Sequence, residues 1–188
     1  MGHEPRKTVE AAGSWASTPA RRRNMQAIRS RDTAPELTVR RLLHAQGLRY
    51  RVAARPLPEL RRTADIVFRP VLLAVFIDGC YWHGCPEHYN APIEHREFWS
   101  EKVRRNVMRD RDTNQRLRAA GWHVIRCWEH DNLEQCAAMI AHTVRSLRSR
   151  GAPGSGGQSS GSSDLREGPC DYAHKFLSAL EVKLDGLT

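Results

Sequence analysis

Hydrophobic and polar positions divide the chain into alternating helical and extended segments. Glu36, Val39 and Leu43 recur at helical spacing behind Thr33-Ala34-Pro35-Glu36, which matches a capping box with proline in the first turn. Gly47 closes that helix. Residues 48–52 alternate as a half-exposed strand, and residues 64–68 form a second strand beyond a loop holding Pro56 and Pro58. Arg69-Pro70 turns the chain into residues 71–77, an apolar run too short and too rich in β-branched residues for a helix, hence a strand buried on both faces. Residues 96–120 suit one long helix with Phe98, Trp99, Val103, Val107 and Leu117 inward and arginines outward, and Gly121 stops it. Residues 122–129 are the next strand. Asp131-x-x-Glu134 caps a last helix whose stripe is Leu133, Cys136, Ala137, Ile140, Val144 and Leu147. The order helix, strand, strand, strand, helix, strand, helix predicts an α/β domain with a mixed central sheet.

Composition adds boundaries. Within 188 residues, the segment 151–170 opens with a run of Gly and Ser that cannot bury apolar surface and reads as a flexible linker. Residues 1–20 lack periodicity and are expected to be disordered, leaving a domain over 21–150 and a tail over 171–188. In that tail Tyr172, Phe176, Leu180 and Leu184 make a weak helical stripe.

The net charge of +9 is unevenly spread: residues 21–150 hold 25 Lys and Arg against 14 Asp and Glu, whereas the flanks hold 5 against 7. Arginine supplies nearly all the excess, and it pairs bidentately with phosphate, so the domain is suited to nucleic acid. A basic arm at 21–31, with Met25 and Ile28 on one side and Arg29 among its charges, can track phosphates beside such a site. Five cysteines, an odd number, do not suggest a secreted disulfide framework, and no apolar stretch has membrane length. A reducing cytoplasm is the expected location.

The chemistry concentrates where the central strand ends. Cys80-x4-Cys85-x2-His88 places three soft or borderline donors on one turn-rich segment, and tetrahedral zinc needs a fourth from elsewhere. His130 is the first choice for that ligand, because a strand beside the central one ends near the cluster; Cys127 is the second. Asp65 and Asp78 lie on consecutive strands as candidate ligands for a hard cation such as magnesium. Asp65 sits inside an apolar strand, where an unpaired charge is expensive, whereas Asp78 precedes glycine and also suits a turn. His83 can act as a general base near phosphate or as a fifth donor competing for zinc. Tyr81 and Trp82 are either core or, among arginines, aromatics that stack on bases or wedge between them.

The run Phe76-Ile77-Asp78-Gly79-Cys80-Tyr81-Trp82-His83-Gly84-Cys85-Pro86-Glu87-His88 resembles the signature of the very short patch repair (Vsr) DNA mismatch endonucleases. Flanking stretches extend the resemblance over about residues 21–148: Asn24-Met25-Gln26-Ala27-Ile28, Ala64-Asp65-Ile66-Val67, Glu97-Phe98-Trp99-Ser100-Glu101-Lys102 with Asn106 and Arg109-Asp110, and Gly121-Trp122 through Trp128-Glu129. The resemblance implies a restriction-endonuclease-like fold with a structural Zn²⁺ and a Mg²⁺-dependent site that nicks one DNA strand 5′ to the thymine of a T·G mismatch. It implies Asp65 as a magnesium ligand helped by the main chain near Ile77, His83 as activator of the attacking water, and Glu36 as an acidic residue supporting the site, with Asp78 either binding the metal directly or supporting its ligands in the catalytic group. Cys80, Cys85, His88 and His130 fall at the zinc positions. Tyr81, Trp82 and Trp99 resemble the intercalating aromatics, with Lys102, Asn106, Met25 and Arg29 as further DNA contacts. Asp78 stands where some members have histidine, and the Glu-x-Lys of restriction nucleases is missing after Asp65.

The function expected is therefore a mismatch-nicking endonuclease acting as a monomer on double-stranded DNA, cytoplasmic and nucleoid-associated, with mismatch-repair proteins as further partners and no membrane. A methyltransferase-associated nickase on matched DNA and a catalytically inactive zinc-stabilised DNA-binding module are the alternatives.

Overall fold

A computed structural model describes residues 31–93 and 95–150. The segments 1–20, 151–170 and 171–188 lie outside the described residues, as do Met25 and Arg29 of the basic arm. The elements are α1 (Ala34–Ala45), β1 (Arg51–Ala54), β2 (Ala64–Phe68), a 3-10 turn (Arg69–Val71), β3 (Leu73–Asp78), α2 (Arg96–Ala119), β4 (His123–Trp128) and α3 (Leu133–Arg150). Among the described residues the strands form one sheet in the order β1-β2-β3-β4. The first three are antiparallel neighbours, and β4 lies parallel to β3. The mixed α/β expectation is met.

The sheet separates two cores. On one face Ile66, Phe68, Leu73 and Val75 meet Val39 and Leu43 of α1 and Ala137, Ile140 and Val144 of α3. On the other, Val67, Ala74 and Phe76 meet Leu117 of α2 with Leu60 and Trp122. Both faces of β3 are therefore covered, which is why its apolar run does not alternate. Among the described residues no helix is long and apolar enough to cross a membrane.

Helix ends explain where the expected boundaries shift. At α1 the N–H of Gly47 donates to His44 O (2.9 Å) and that of Leu48 to Leu43 O (3.1 Å), a Schellman closure in which Gly47 takes φ +75°. Leu48 is thereby folded under the helix, and pairing begins only at Arg51. The same closure recurs at α2, where Gly121 and Trp122 donate to Arg118 O (3.0 Å) and Leu117 O (2.9 Å), so Trp122 packs in the core and β4 begins at His123. Val71 and Leu72, expected in the central strand, belong to the hairpin turn, with Leu72 left-handed at φ +48°. The last helix is capped by Asn132, whose Oδ1 accepts from Gln135 N–H at 2.8 Å, rather than by Asp131, whose carboxylate accepts from Trp128 N–H at 2.7 Å. Phe98, expected inward, is 39% exposed, because Trp99 occupies the buried position of that turn.

Candidate active site and metal centre

The loop leaving β3 folds back through successive turns: His83 N–H donates to Gly79 O (3.1 Å), Cys85 N–H to Cys80 O (2.9 Å) and Tyr89 N–H to Cys85 O (3.0 Å). Gly84 takes φ +65°, a conformation that favours glycine. This winding brings Cys80, Cys85 and His88 together. The parallel pairing of β4 delivers the fourth group, since Asp78 is opposite Trp128 and Glu129 N–H donates to Asp78 O at 2.9 Å, leaving His130 beside the loop. Glu129 also accepts the Cys80 N–H at 2.7 Å, tying loop to strand.

The donor atoms of Cys80, Cys85, His88 and His130 all lie within 4.8 Å of one another. Cys80 Sγ is 3.0 Å and Cys85 Sγ 3.8 Å from His130 Nδ1, and Cys85 Sγ is 3.7 Å from His88 Nδ1. Tetrahedral zinc with sulfur and imidazole ligands sets its donors roughly 3.3–3.8 Å apart, so this set fits such an ion after small side-chain adjustments. Burial, the neighbouring Cys85 and Glu129 push the Cys80 thiol up to about 12. On its other side, His130 Nε2 faces Glu87 (3.6 Å) and Asp131 (3.7 Å), carboxylates able to orient a metal-bound imidazole. Cys127, the second choice for the fourth ligand, is instead buried in the core with Cys136.

A second cluster forms at the same end of the sheet. The antiparallel pairing of β2 with β3 sets Asp65 and Asp78 at the same end of the sheet, near enough for the charge of Asp78 to act on Asp65. Asp65 Oδ2 accepts the Ile77 N–H at 2.7 Å, which brings the main chain of Ile77 against the carboxylate. Burial raises Asp65 to about 6 against that hydrogen bond, and the nearby charges of Glu36 and Asp78 raise it further. A carboxylate raised in this way is one whose charged form a hard divalent cation would favour. Glu36, 3% exposed, accepts from Asp32 N–H (3.0 Å), Thr33 hydroxyl (3.1 Å) and Arg40 Nη2 (2.7 Å). The expected capping box thus takes an altered form: the glutamate reaches back to Asp32 rather than to the Thr33 amide, and it is held by a buried arginine.

His83 is fixed through Nδ1, which lies 2.6 Å from Asp110 Oδ2 and 3.5 Å from Asp78 Oδ1. Burial alone would lower its pKa, but the Asp110 hydrogen bond and the two carboxylate charges raise it. Arg126 sits behind these carboxylates. Its Nε and Nη2 bind the two oxygens of Asp78 at 2.5 and 2.8 Å, Nη2 is 3.3 Å from Asp110, and Nη1 donates to Asn114 at 3.0 Å. Asp110, Asn114 and Arg126 received no role from the sequence. A charge inside the extended run Val124-Ile125-Arg126-Cys127 was the available signal, of the kind that singled out Asp65; Asp110 and Asn114, on a charged helix, gave none.

Residues 16–89, which include Glu36, Asp65, Asp78, His83 and three of the four sulfur and imidazole donors, match the family model "DNA mismatch endonuclease Vsr". The DNA mismatch endonuclease Vsr of Escherichia coli K12 is 40% identical over 110 residues, spanning 58% of this chain and 69% of that protein. The chain belongs to the Vsr family. Other relatives are similar over more of its length. The Type II nicking enzyme V.NaeI of Lentzea aerocolonigenes is 42% identical over 146 residues, covering 76% of this chain and 88% of that protein. V.NmeDIP of Neisseria meningitidis serogroup C, also a Type II nicking enzyme, is 38% identical over 134 residues, covering 68% and 88%.

In this Vsr-family chain the aromatic residues of the loop and of α2 pack together. Tyr81 meets Trp82 (5.1 Å between ring centroids), Trp99 (5.7 Å) and Tyr89 (5.9 Å), and Trp82 meets Trp99 at 6.0 Å. Tyr81 and Trp82 are half-buried, whereas Trp99 is 6% exposed beneath them. Lys102 Nζ lies 5.2 Å from both indole rings, a cation–π clamp made by the single lysine between residues 21 and 150. Asn106 donates to the Trp82 carbonyl at 2.9 Å. Lys102 and Asn106, expected to contact DNA, here hold the aromatic loop against α2.

Proposed function

We propose that this Vsr-family DNA endonuclease nicks one strand of double-stranded DNA 5′ to the thymine of a T·G mismatch. The observation carrying the proposal is a chain of interactions at one end of the sheet: the charge of Asp78 acts on Asp65, and Asp78 lies 3.5 Å from His83, whose Nδ1 is 2.6 Å from Asp110. The E. coli relative, a DNA mismatch endonuclease, supports the mismatch, and the relatives that are nicking enzymes support cutting of a single strand. The restriction-endonuclease-like arrangement implied by the resemblance belongs to the same reading.

Asp65, with the main chain at Ile77, would hold Mg²⁺, which supplies charge neutralisation at the phosphate and acidifies a bound water. His83 has the geometry of a general base: Nδ1 is occupied by Asp110, so Nε2 is left to take the proton of the attacking water. Glu36, saturated by Arg40 and Thr33, adds negative charge near Asp65 and does not itself transfer a proton. Cys80, Cys85, His88 and His130 would hold Zn²⁺, which fixes the loop bearing His83 and the aromatics. Insertion of Tyr81 and Trp82, supported by Trp99, costs less at a mispaired step than at a matched one, which supplies selectivity.

The test is a nicking assay on matched and mismatched duplexes in several flanking sequences, with Mg²⁺ or with chelator. The expected product is one nick beside T·G, absent without divalent cation and absent for Asp65→Ala. Equal cutting of matched and mismatched DNA would replace the mismatch assignment with sequence-directed nicking. An active Asp65→Ala variant would overturn the assigned chemistry.

A further inference from the structure

We propose that Arg126 is a positioning residue for nicking, clamping Asp78 and Asp110 together so that both carboxylates face His83 Nδ1 and the imidazole keeps one orientation and one tautomer. The inference rests on His83 being the water-activating residue of the preceding section. Three elements meet at this guanidinium: β3 provides Asp78, α2 provides Asp110 and Asn114, and β4 provides Arg126 itself.

The donor inventory is nearly exhausted. Nε and Nη2 take both oxygens of Asp78, Nη2 also reaches Asp110 Oδ1, and Nη1 takes Asn114 Oδ1. The guanidinium carbon lies 4.6 Å from the centre of the Phe76 ring, which fixes the plane of the group from one side. An arginine so engaged is poorly placed to bind a DNA phosphate; its charge serves the protein's own carboxylates.

Those carboxylates need it. Asp78 is 5% exposed and Asp110 is half-buried, and they converge on one imidazole nitrogen at 3.5 and 2.6 Å. Without a cation between them their repulsion would drive them apart, and His83 would lose the second of its two flanking groups. Arg126 leaves Asp110 Oδ2 directed at Nδ1 while holding Oδ1, so the bond to His83 is set by a three-point clamp rather than by the helix alone. Lysine cannot reproduce it, since a single ammonium has no planar fork to span Asp78 while reaching Asp110.

The test uses the full zinc-containing chain and four variants. Arg126→Met removes the clamp, and Arg126→Lys keeps only charge. Asp78→Asn with Arg126→Met removes both charges at nearly constant volume, guarding against unfolding caused by one uncompensated buried charge. His83→Gln assigns the ring signals and tests the underlying chemistry. Expected results are a kcat for nicking lowered on the order of 10–100-fold in Arg126→Met and in the double variant, with KM within about threefold, and no more than a tenth of full activity in Arg126→Lys. Long-range proton–nitrogen spectra should show His83 protonated on Nδ1 in the unsubstituted protein and mixed tautomers in Arg126→Met, a signature that mere destabilisation would not produce. A double variant with kcat within threefold of the unsubstituted protein, or an unchanged single tautomer in Arg126→Met, would overturn the proposal. If His83→Gln nicks at the full rate, the water-activation chemistry fails, and the tautomer spectra still decide whether Arg126 positions the ring.

Discussion

The amide of Ile77 donates to the carboxylate of Asp65 at 2.7 Å, joining β3 to β2 where the sheet meets the zinc-type loop. A half-buried acid is thereby held at the sheet's end by a backbone group, and it is pushed up to about 6 mainly by burial, with Glu36 and Asp78 adding to it and Arg40 opposing. The site stores destabilisation that a bound cation would relieve.

Asp65→Asn should therefore abolish Mg²⁺-dependent nicking yet stabilise the metal-free protein at neutral pH. The folded pKa lies above the unfolded value of 3.8, so the unsubstituted protein loses stability as pH rises from about 4 to beyond 6. The variant lacks that loss, which amounts to about 2–3 kcal/mol at pH 7 and vanishes below pH 4. Urea unfolding in chelator across this range measures it; a gain that persisted unchanged at low pH would exclude ionisation of Asp65 as its origin.

Chelation strong enough to strip bound zinc should lower the melting temperature by about 10 °C or more, because the four ligands then lose the cross-link between the loop after β3 and the end of β4. His130→Ala should reduce zinc content and nicking together, whereas Cys127→Ala should leave zinc stoichiometry intact. Metal analysis of the purified variants separates the two residues.

Glu36→Gln should cost about 2–4 kcal/mol, since it takes from buried Arg40 the charge of its buried ion-pair partner and leaves the more exposed Asp32 as its direct ion pair. Denaturant unfolding at constant pH reports the cost. Equal stability of the variant would mean that the pair contributes no net charge attraction.

Trp82→Ala should narrow the preference for T·G over matched duplex, raising KM on mismatched DNA about tenfold or more through loss of stacking. Lys102→Ala should act differently, loosening the aromatic cluster without removing a stacking face. Competition between labelled matched and mismatched duplexes distinguishes them: Trp82→Ala lowers the ratio, and Lys102→Ala changes it less.

Much of this molecule was legible along the chain because the signals were local. The 3.6-residue stripe from Leu133 to Val144, the glycines after α1 and α2, and the uninterrupted apolar stretch of β3 each report burial within one element. Cys80, Cys85 and His88 are close in sequence, so their meeting needed only one loop. Phe98 and Trp99 were harder: adjacent aromatics on a helix cannot both face the sheet, and their order depends on helix rotation, which the core sets.

What the sequence by itself determined is the set of elements, their order, and the chemical type of the two clusters, since hydrophobic periodicity and ligand identity are properties of short stretches. What only the tertiary structure decided is which distant groups complete them. His130 rather than Cys127 reaches the sulfurs because β4 runs parallel to β3 in the register that sets Asp78 opposite Trp128. Asp110 and Arg126, 27 and 43 residues beyond His83, reach its surroundings by different routes, Asp110 through the packing of α2 on the sheet and Arg126 through the pairing of β4 with β3. Contacts of that kind depend on strand register and helix placement, which follow from the whole chain burying its apolar faces at once.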